Sequence, residues 1–296
     1  MTTMPTGRRR WRNTAVGLSF LLPNFIGFLV LTLIPVGLLF YYAFTEWNVF
    51  GGATWTGLDN FRQMAADTTF WTALRNTLYY AAFHIPLTLG VSLGLALLLN
   101  RKLRGVAFFR TVAFFPYITS IVAIAQIWNM LFSPGYGPVN ELLRWIGVDH
   151  PPGWTTSADW SMPAVIIVGT WRDMGYYMLL FLAGLQTIPG QLYEAAKVDG
   201  ASAWQRFRAV TLPGLRPTTF FITVLLTIGS FKVFDLILVM TNGGPGQSTL
   251  VLAQYIFRKG FEENQFGYAS AVSIVLFAIC LVVTVIQFVV NKRRSS

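Results

Sequence analysis

Four ionisable residues stand where this chain has least reason to carry them. Arg172 and Asp173 lie inside one long apolar run, beside Trp171 and ahead of Gly175-Tyr176-Tyr177; Lys232 and Asp235 lie inside another, three apart on one face of a predicted helix. A charge near mid-bilayer costs roughly 2.5 to 3.5 kcal/mol on insertion scales, so each of these groups needs a partner or water. Two readings are open. Lys232 and Asp235 neutralise one another or hold a neighbouring subunit, or the clustered groups border a water-filled route. In the second reading Trp171, Arg172, Asp173, Tyr176, Lys232, Asp235 and Asn242 line or gate that route, stacking on and hydrogen-bonding a polar solute.

No residue set for covalent chemistry accompanies them. Gly90-Val91-Ser92-Leu93-Gly94 matches the esterase pattern, but it falls mid-span, where the same residues read as a Gly-x-x-x-Gly helix-packing surface. His84, just before Pro86, reads as a helix-interface residue at a kink rather than a proton relay. His150 is the second of two histidines and Cys280 the single cysteine, so neither a disulfide nor a metal site is expected. No Gly-x-x-x-x-Gly-Lys-Ser/Thr loop occurs, so ATP chemistry must come from another chain and no cofactor is expected on this one.

The elements that position these groups are membrane helices. With 54% hydrophobic and 11% charged residues in 296 positions, the composition excludes an ordinary soluble globule. Six runs are long enough to cross a bilayer: Val16 to Phe44, Trp71 to Leu99, Ala107 to Phe132, Met162 to Leu185, Pro217 to Met240 and Gly267 to Val290. The first is too long, and lacks the cleavage signature, for a removed signal peptide. Fifteen of the 22 Lys and Arg fall in the N-terminal segment, around Arg101, Lys102, Arg104 and Arg110, around Lys197, Arg206, Arg208 and Arg216, and in the tail from Lys292 to Arg294. Short basic loops stay cytoplasmic, so both termini are predicted inside, and the net charge of +10 reads as membrane orientation rather than nucleic-acid binding. The organisation is a basic N-terminus (1–15), a membrane domain (16–290) and a short tail (291–296). The outer loops, notably Ser133 to Ser161, are rich in Pro, Gly and Trp and read as caps over an outer mouth.

Between the fourth and fifth runs lies a polar segment, 189–213. Pro189 suits a first helical turn, Leu192, Ala195, Ala196 and Asp199 share a face, and Gly200 suits a C-terminal stop. Ser202 and Gln205 have capping-box spacing; Trp204, Phe207 and Thr211 repeat on one face until Pro213, which is expected to end the helix. Small Ala195 and Ala196 admit a partner backbone, and Glu194 offers a charge to a partner Arg. The alternative is an amphipathic loop lying on the membrane surface.

The spacing Glu194-Ala195-Ala196, Gly200, Val210, Leu212-Pro213 resembles the EAA loop of bacterial ABC-importer permeases, with Val210 where Ile is usual. Gly57-Leu58-Asp59-Asn60-Phe61, Asn76-Thr77, Leu185-Gln186-Thr187-Ile188-Pro189 and the stretch Thr241 to Thr249 are similar to the MalF-type, carbohydrate-uptake branch. The resemblance implies an all-α integral membrane fold, the type I importer transmembrane domain of MalF/MetI type. It implies partners too: a homologous MalG-type permease, an ATP-binding subunit dimer that uses ATP and Mg, an extracytoplasmic solute-binding protein and a sugar-like solute, in a bacterial plasma membrane. By the same resemblance Glu194, Ala195, Ala196, Asp199, Gly200, Ala201, Phe207, Leu212 and Pro213 couple to the ATPase. Gly243, Gly244 and Pro245 form either a plain turn or part of the binding-protein surface. The rivals are an ion- or proton-coupled secondary transporter, which leaves the segment at Glu194 unexplained, and a polytopic membrane enzyme, which lacks a catalytic set.

Overall fold

The structure, a computed structural model, describes residues 7–47, 51–101 and 104–295, with side chains from residue 18 to residue 293. Lys102, the first six residues and the last residue lie outside the described residues. The chain divides into two compact units: Met1–Ala65 with Lys259–Ile274, and Ala66–Arg258 with Val275–Ser296.

The first unit opens with α1 (Gly7–Phe28), a π turn (Leu29–Leu33) and α2 (Ile34–Tyr42). The wide turn is closed by the Ile34 amide donating to the Leu29 carbonyl, one residue before Pro35. A proline ring clashes with the carbonyl four residues back, and widening the preceding turn relieves that clash. A two-residue ribbon follows, β1 (Thr45–Glu46) antiparallel to β2 (Thr54–Trp55), with Thr45 opposite Trp55, so the chain is mostly helical rather than wholly so. Asn60, in α3 (Asp59–Ala66), explains the Gly57-to-Phe61 motif: its Nδ2 donates to the carbonyls of Ala43 and Thr45 at 2.9 Å each, pinning α3 to the ribbon.

The second unit is built around α8 (Ala158–Gln186), flanked by α4 (Thr68–Leu99), α5 (Val106–Ile118), α6 (Ile121–Leu131) and α12 (Arg216–Phe231). A short helix α7 (Pro138–Trp145) folds the loop before α8, where Asn140 donates to Pro152 and accepts from the Trp154 indole at 2.7 Å. Three glycines let other helices close on α8. A Cβ on Gly169 would meet the Tyr80 hydroxyl of α4 at 2.6 Å, one on Gly175 the Ala113 carbonyl of α5 at 1.9 Å, and one on Gly184 the Thr218 Oγ1 of α12 at 2.4 Å. Along α8, Ala164, Val165, Ile166 and Val168 belong to one apolar cluster and Tyr177, Met178, Phe181, Leu182 and Leu185 to a second. Between them, Arg172 and Asp173 face a polar cavity.

Among the described residues four helices are long and apolar enough to cross a membrane: Leu18–Tyr42, Thr68–Leu99, Ala158–Gln186 and Phe266–Arg293. The third and fifth runs are not continuous helices. The third bends by 100° between α5 and α6, at Thr119 and Ser120. The fifth breaks after Phe231 and resumes as α13 (Asp235–Met240), so Lys232 and Asp235 do not share a helical face. Lys232 caps the C-terminus of α12 and Asp235 opens α13, each with the sign of charge that its helix end favours. Gly90 and Gly94 also depart from expectation. Both face outward on α4, with nothing within 4 Å of an added Cβ, while the packed face runs through Thr77, Ala81, His84, Thr88, Ser92 and Ala96. Residues 252–262 form α14 (Leu252–Phe257) and a π turn (Arg258–Glu262), and α15 (Phe266–Ser295) runs from the first unit into the second.

Candidate functional site

The polar segment folds as two short helices mounted on the second apolar cluster. The first, α9 (Gly190–Val198), takes Pro189 as its N-cap rather than its first turn. It ends in a Schellman motif: Gly200 (φ +75°) donates to the Lys197 carbonyl at 3.0 Å and Ala201 to the Ala196 carbonyl at 2.9 Å. Next, α10 (Ala203–Arg206) starts at a complete capping box, the Ser202 hydroxyl accepting from the Gln205 amide while the Gln205 side chain accepts from the Ser202 amide. Pro213 does not end this helix. A π turn (Phe207–Thr211) precedes it, the Leu212 amide donating to the Phe207 carbonyl, and α11 (Leu212–Gly214) carries the chain past the proline before a 65° bend into α12. Tyr193 and Thr211 join the two arms at 3.0 Å, and Ile188, Leu215, Tyr193 and Val210 seat them on the cluster formed by α8 and α12. The opposite side is open: Glu194, Ala195 and Asp199 are exposed, as are Leu192, Val198 (88%) and Trp204 (68%), while Phe207 is half-buried under Trp204. Exposed apolar groups on so well-fixed a scaffold mark an interaction surface, for a protein or for the membrane.

The second site is a cavity of about 230 Å³ where both helix breaks meet the middles of α4 and α8. Arg172, Asp173, Lys232 and Asp235 all line it. Arg172 donates to Asp173 Oδ1 at 3.1 Å, whereas Lys232 and Asp235 make no ion pair within 4 Å among the described residues. Broken helices with free backbone ends are tolerated at membrane depth only where protein or a water-filled cavity satisfies them. Tyr117, which a sequence reading has no means to place here, lines the same cavity. Its ring stacks on Tyr176 at 4.4 Å, and the Arg172 guanidinium lies 5.5 Å from its centroid. His84 and Ser230 join it as well, hydrogen-bonded across 3.0 Å between α4 and α12. Of the other predicted lining residues, Tyr176 reaches the cavity only through Tyr117. Trp171 packs instead against Trp128 and the first apolar cluster, and Asn242 lies elsewhere.

Asn242 belongs to the loop between α13 and α14. Its side chain accepts from Gln254 Nε2 at 3.0 Å, and its carbonyl accepts from Arg258. Gly243 (φ +81°) is buried against both partners, which an added Cβ would meet at 3.0 Å. Asn76 and Thr77 of α4 hold the other limb: Asn76 donates to the carbonyls of Gln247 and Leu250 at 2.8 and 2.9 Å, and Thr77 accepts from the Leu252 amide. The tip, Gly246 and Gln247, is exposed. Replacing Asn76 by Ala removes both of these bonds, the Gln247 carbonyl keeping the Leu250 amide, and is expected to destabilise the loop by about 1 kcal/mol. Hydrogen exchange of the 243–250 amides should rise accordingly; unchanged protection would show that Asn76 does not hold the loop.

Residues 86–296 match the family model described as binding-protein-dependent transport system inner membrane component. The chain is 38% identical over 292 residues to the probable ABC transporter permease YesP of Bacillus subtilis, covering 96% of this chain and 93% of that protein. It is 38% identical over 245 residues to the lactose transport system permease LacF of Rhizobium radiobacter, covering 81% and 82%. Among solved structures it is similar to a bacterial ABC transporter involved in the import of the acidic polysaccharide alginate, with TM-score 0.86 and 27% identity over 97% of this chain and 100% of that one. The exposed loop 189–213 is seated on α8 and α12, the helices that border the polar cavity. The chain belongs to the binding-protein-dependent transport system inner membrane component family, as a multi-pass permease subunit of an ABC importer.

Proposed function

We propose that this chain forms half of the pathway by which a sugar or sugar-like solute crosses a bacterial plasma membrane, paired with a homologous MalG-type permease. Six spans with both termini cytoplasmic follow if each bent pair crosses once. The loop 189–213 then lies on the inner face and the loop carrying Gly243, Gly244 and Pro245 on the outer face, where a solute-binding protein docks. A cytoplasmic ATPase dimer grips the open face of the inner loop, with Glu194 pairing a partner Arg and the small Ala195 and Ala196 admitting the groove wall. ATP and Mg act on that dimer, and this chain does no covalent chemistry.

One observation carries the reading: the docking loop is seated, through Ile188 and Leu215, on the same two helices, α8 and α12, that border the cavity. Closure of the ATPase dimer therefore moves the cavity wall directly, and the cavity opens alternately to each side. Hydroxyl-rich solutes suit its lining, since Tyr117 offers an aromatic face and Asp173, Asp235, Arg172 and Lys232 offer charge-assisted hydrogen bonds.

The test is uptake of a sugar panel by vesicles holding the complex and its binding protein, for wild type and Asp173→Ala at equal assembly. Loss of charge-assisted contacts should lower uptake by about tenfold or more. Unchanged uptake at normal assembly would remove Asp173 from the pathway.

A further inference from the structure

His84 is 2% exposed at the junction of three helices, and its two nitrogens face different ones. Its Nδ1 lies 3.0 Å from the Ser230 hydroxyl of α12, one residue before that helix ends at Phe231. Its Nε2 lies 3.6 Å from Asp173 Oδ2 of α8 and makes no hydrogen bond. One face of the ring stacks on Tyr80 at 4.8 Å. Two neutral tautomers are available. With the proton on Nδ1, Ser230 would accept and the bare Nε2 lone pair would face a carboxylate. With the proton on Nε2, Ser230 donates to Nδ1 and Nε2–H faces the carboxylate, so each partner meets its complement. The polarity then runs from Ser230 through His84 toward Asp173, whose Oδ1 is held by Arg172 while Oδ2 stands 3.6 Å from Nε2, beyond hydrogen-bond reach. The nitrogens are the reverse of a hydrolytic triad, where the serine pairs with Nε2 and the acid with Nδ1. Ser230 is also 1% exposed, so this is not a nucleophile.

We infer that His84 is a positioning residue: it ties α4, α8 and α12 together at the cavity wall and fixes the direction of the Asp173 carboxylate. A carboxylate anchored at Oδ1 by Arg172 and faced at Oδ2 by the His84 Nε2–H across 3.6 Å presents its remaining lone pairs in one orientation, and a preorganised acceptor discriminates between solutes that differ in hydroxyl geometry. The discrimination rests on the solute-path reading above. The link between the three helices does not.

The test uses the whole complex with its binding protein in proteoliposomes, and two radiolabelled disaccharides that the same binding protein delivers. His84→Phe keeps the ring stack on Tyr80 but removes both nitrogens; it should change the ratio of the two uptake rates about fivefold or more, and His84→Gln, which keeps a donor and an acceptor, should stay near the wild-type ratio. A loss confined to folding would scale both rates alike, and an unchanged ratio in His84→Phe overturns the proposal. If His84→Phe fails to assemble, His84→Leu, which also removes both nitrogens, takes its place, with the same two outcomes. Thermal midpoints of His84→Phe, Asp173→Asn and the double variant separate the two layers: non-additive shifts support the link, and additive shifts sink it. Non-additive midpoints together with normal uptake by Asp173→Asn would leave the link standing and refute the solute path.

Discussion

Gly175→Ala should cripple the chain, although it adds a single methyl group to a helix. That carbon would lie 1.9 Å from the Ala113 carbonyl oxygen, 2.4 Å from its carbon and 2.7 Å from Phe114 Cα. Every one of these is backbone, which has no rotamer to escape into, so α5 must leave α8. Overpacking a close-packed site costs about 1 to 3 kcal/mol where side chains can shift, and this substitution should cost more than about 3 kcal/mol. The loss reaches the cavity, because α5 carries Tyr117 to its wall. A sharp fall in the thermal midpoint of the detergent-solubilised complex, with loss of assembled material, is the expected result. Gly94→Ala is the control: nothing lies within 4 Å of its Cβ inside this chain, and a better helix former should leave that midpoint level or raise it. Equal behaviour of the two variants would contradict the packing of α5 on α8.

The second large effect belongs to the docking loop, where space is free and conformation is the constraint. Gly200 has room for a side chain but stands at φ +75°, so Gly200→Val strains the stop that turns α9 toward α10, by roughly 1 to 3 kcal/mol. Glu194→Lys leaves the fold intact, since Glu194 is exposed, and reverses the charge offered to the partner. An unpaired like charge at an interface costs several kcal/mol, so co-purification of the ATPase should fall by about tenfold or more in Glu194→Lys. In Gly200→Val the same loss should come with a lower thermal midpoint. ATPase retained at wild-type level by Glu194→Lys would mean that the exposed face of α9 is not the docking face.

Where local chemistry decides the structure, the chain could be read directly. Ser202 and Gln205 form their capping box and Gly200 its left-handed stop, because both depend on residues a few positions apart. Four of the apolar runs overlie long apolar helices to within a few residues, but hydropathy is blind to a break inside a run. Thr119-Ser120 and Lys232 to Phe234 look like ordinary interruptions until the residues at them, Tyr117, Ile121 and Lys232 to Asp235, are seen to line one cavity with α4 and α8. Pro213 was misleading for a definable reason: proline forbids a normal helical turn, and the chain answers with a wide one, as it does again before Pro35. The cavity could be read in part. Arg172, Asp173, Lys232 and Asp235 announce themselves as charges in apolar surroundings and do line it. Tyr117, His84 and Ser230 do not, since an aromatic, a lone histidine and a helical serine are unremarkable in a span, and His84 meets Ser230 across 146 positions. Asn242 misled in the opposite direction, being polar because it ties the loop between α13 and α14 to Gln254 and Arg258.

The account stands or falls on energy reaching the membrane helices through the loop at Glu194. Proteoliposomes holding this chain, its second permease and the loaded binding protein, prepared with and without the ATPase subunit, measure that dependence directly. Uptake that needs both the subunit and ATP, and that Glu194→Lys abolishes, is the expected result. Uptake at the same rate without the subunit would contradict it.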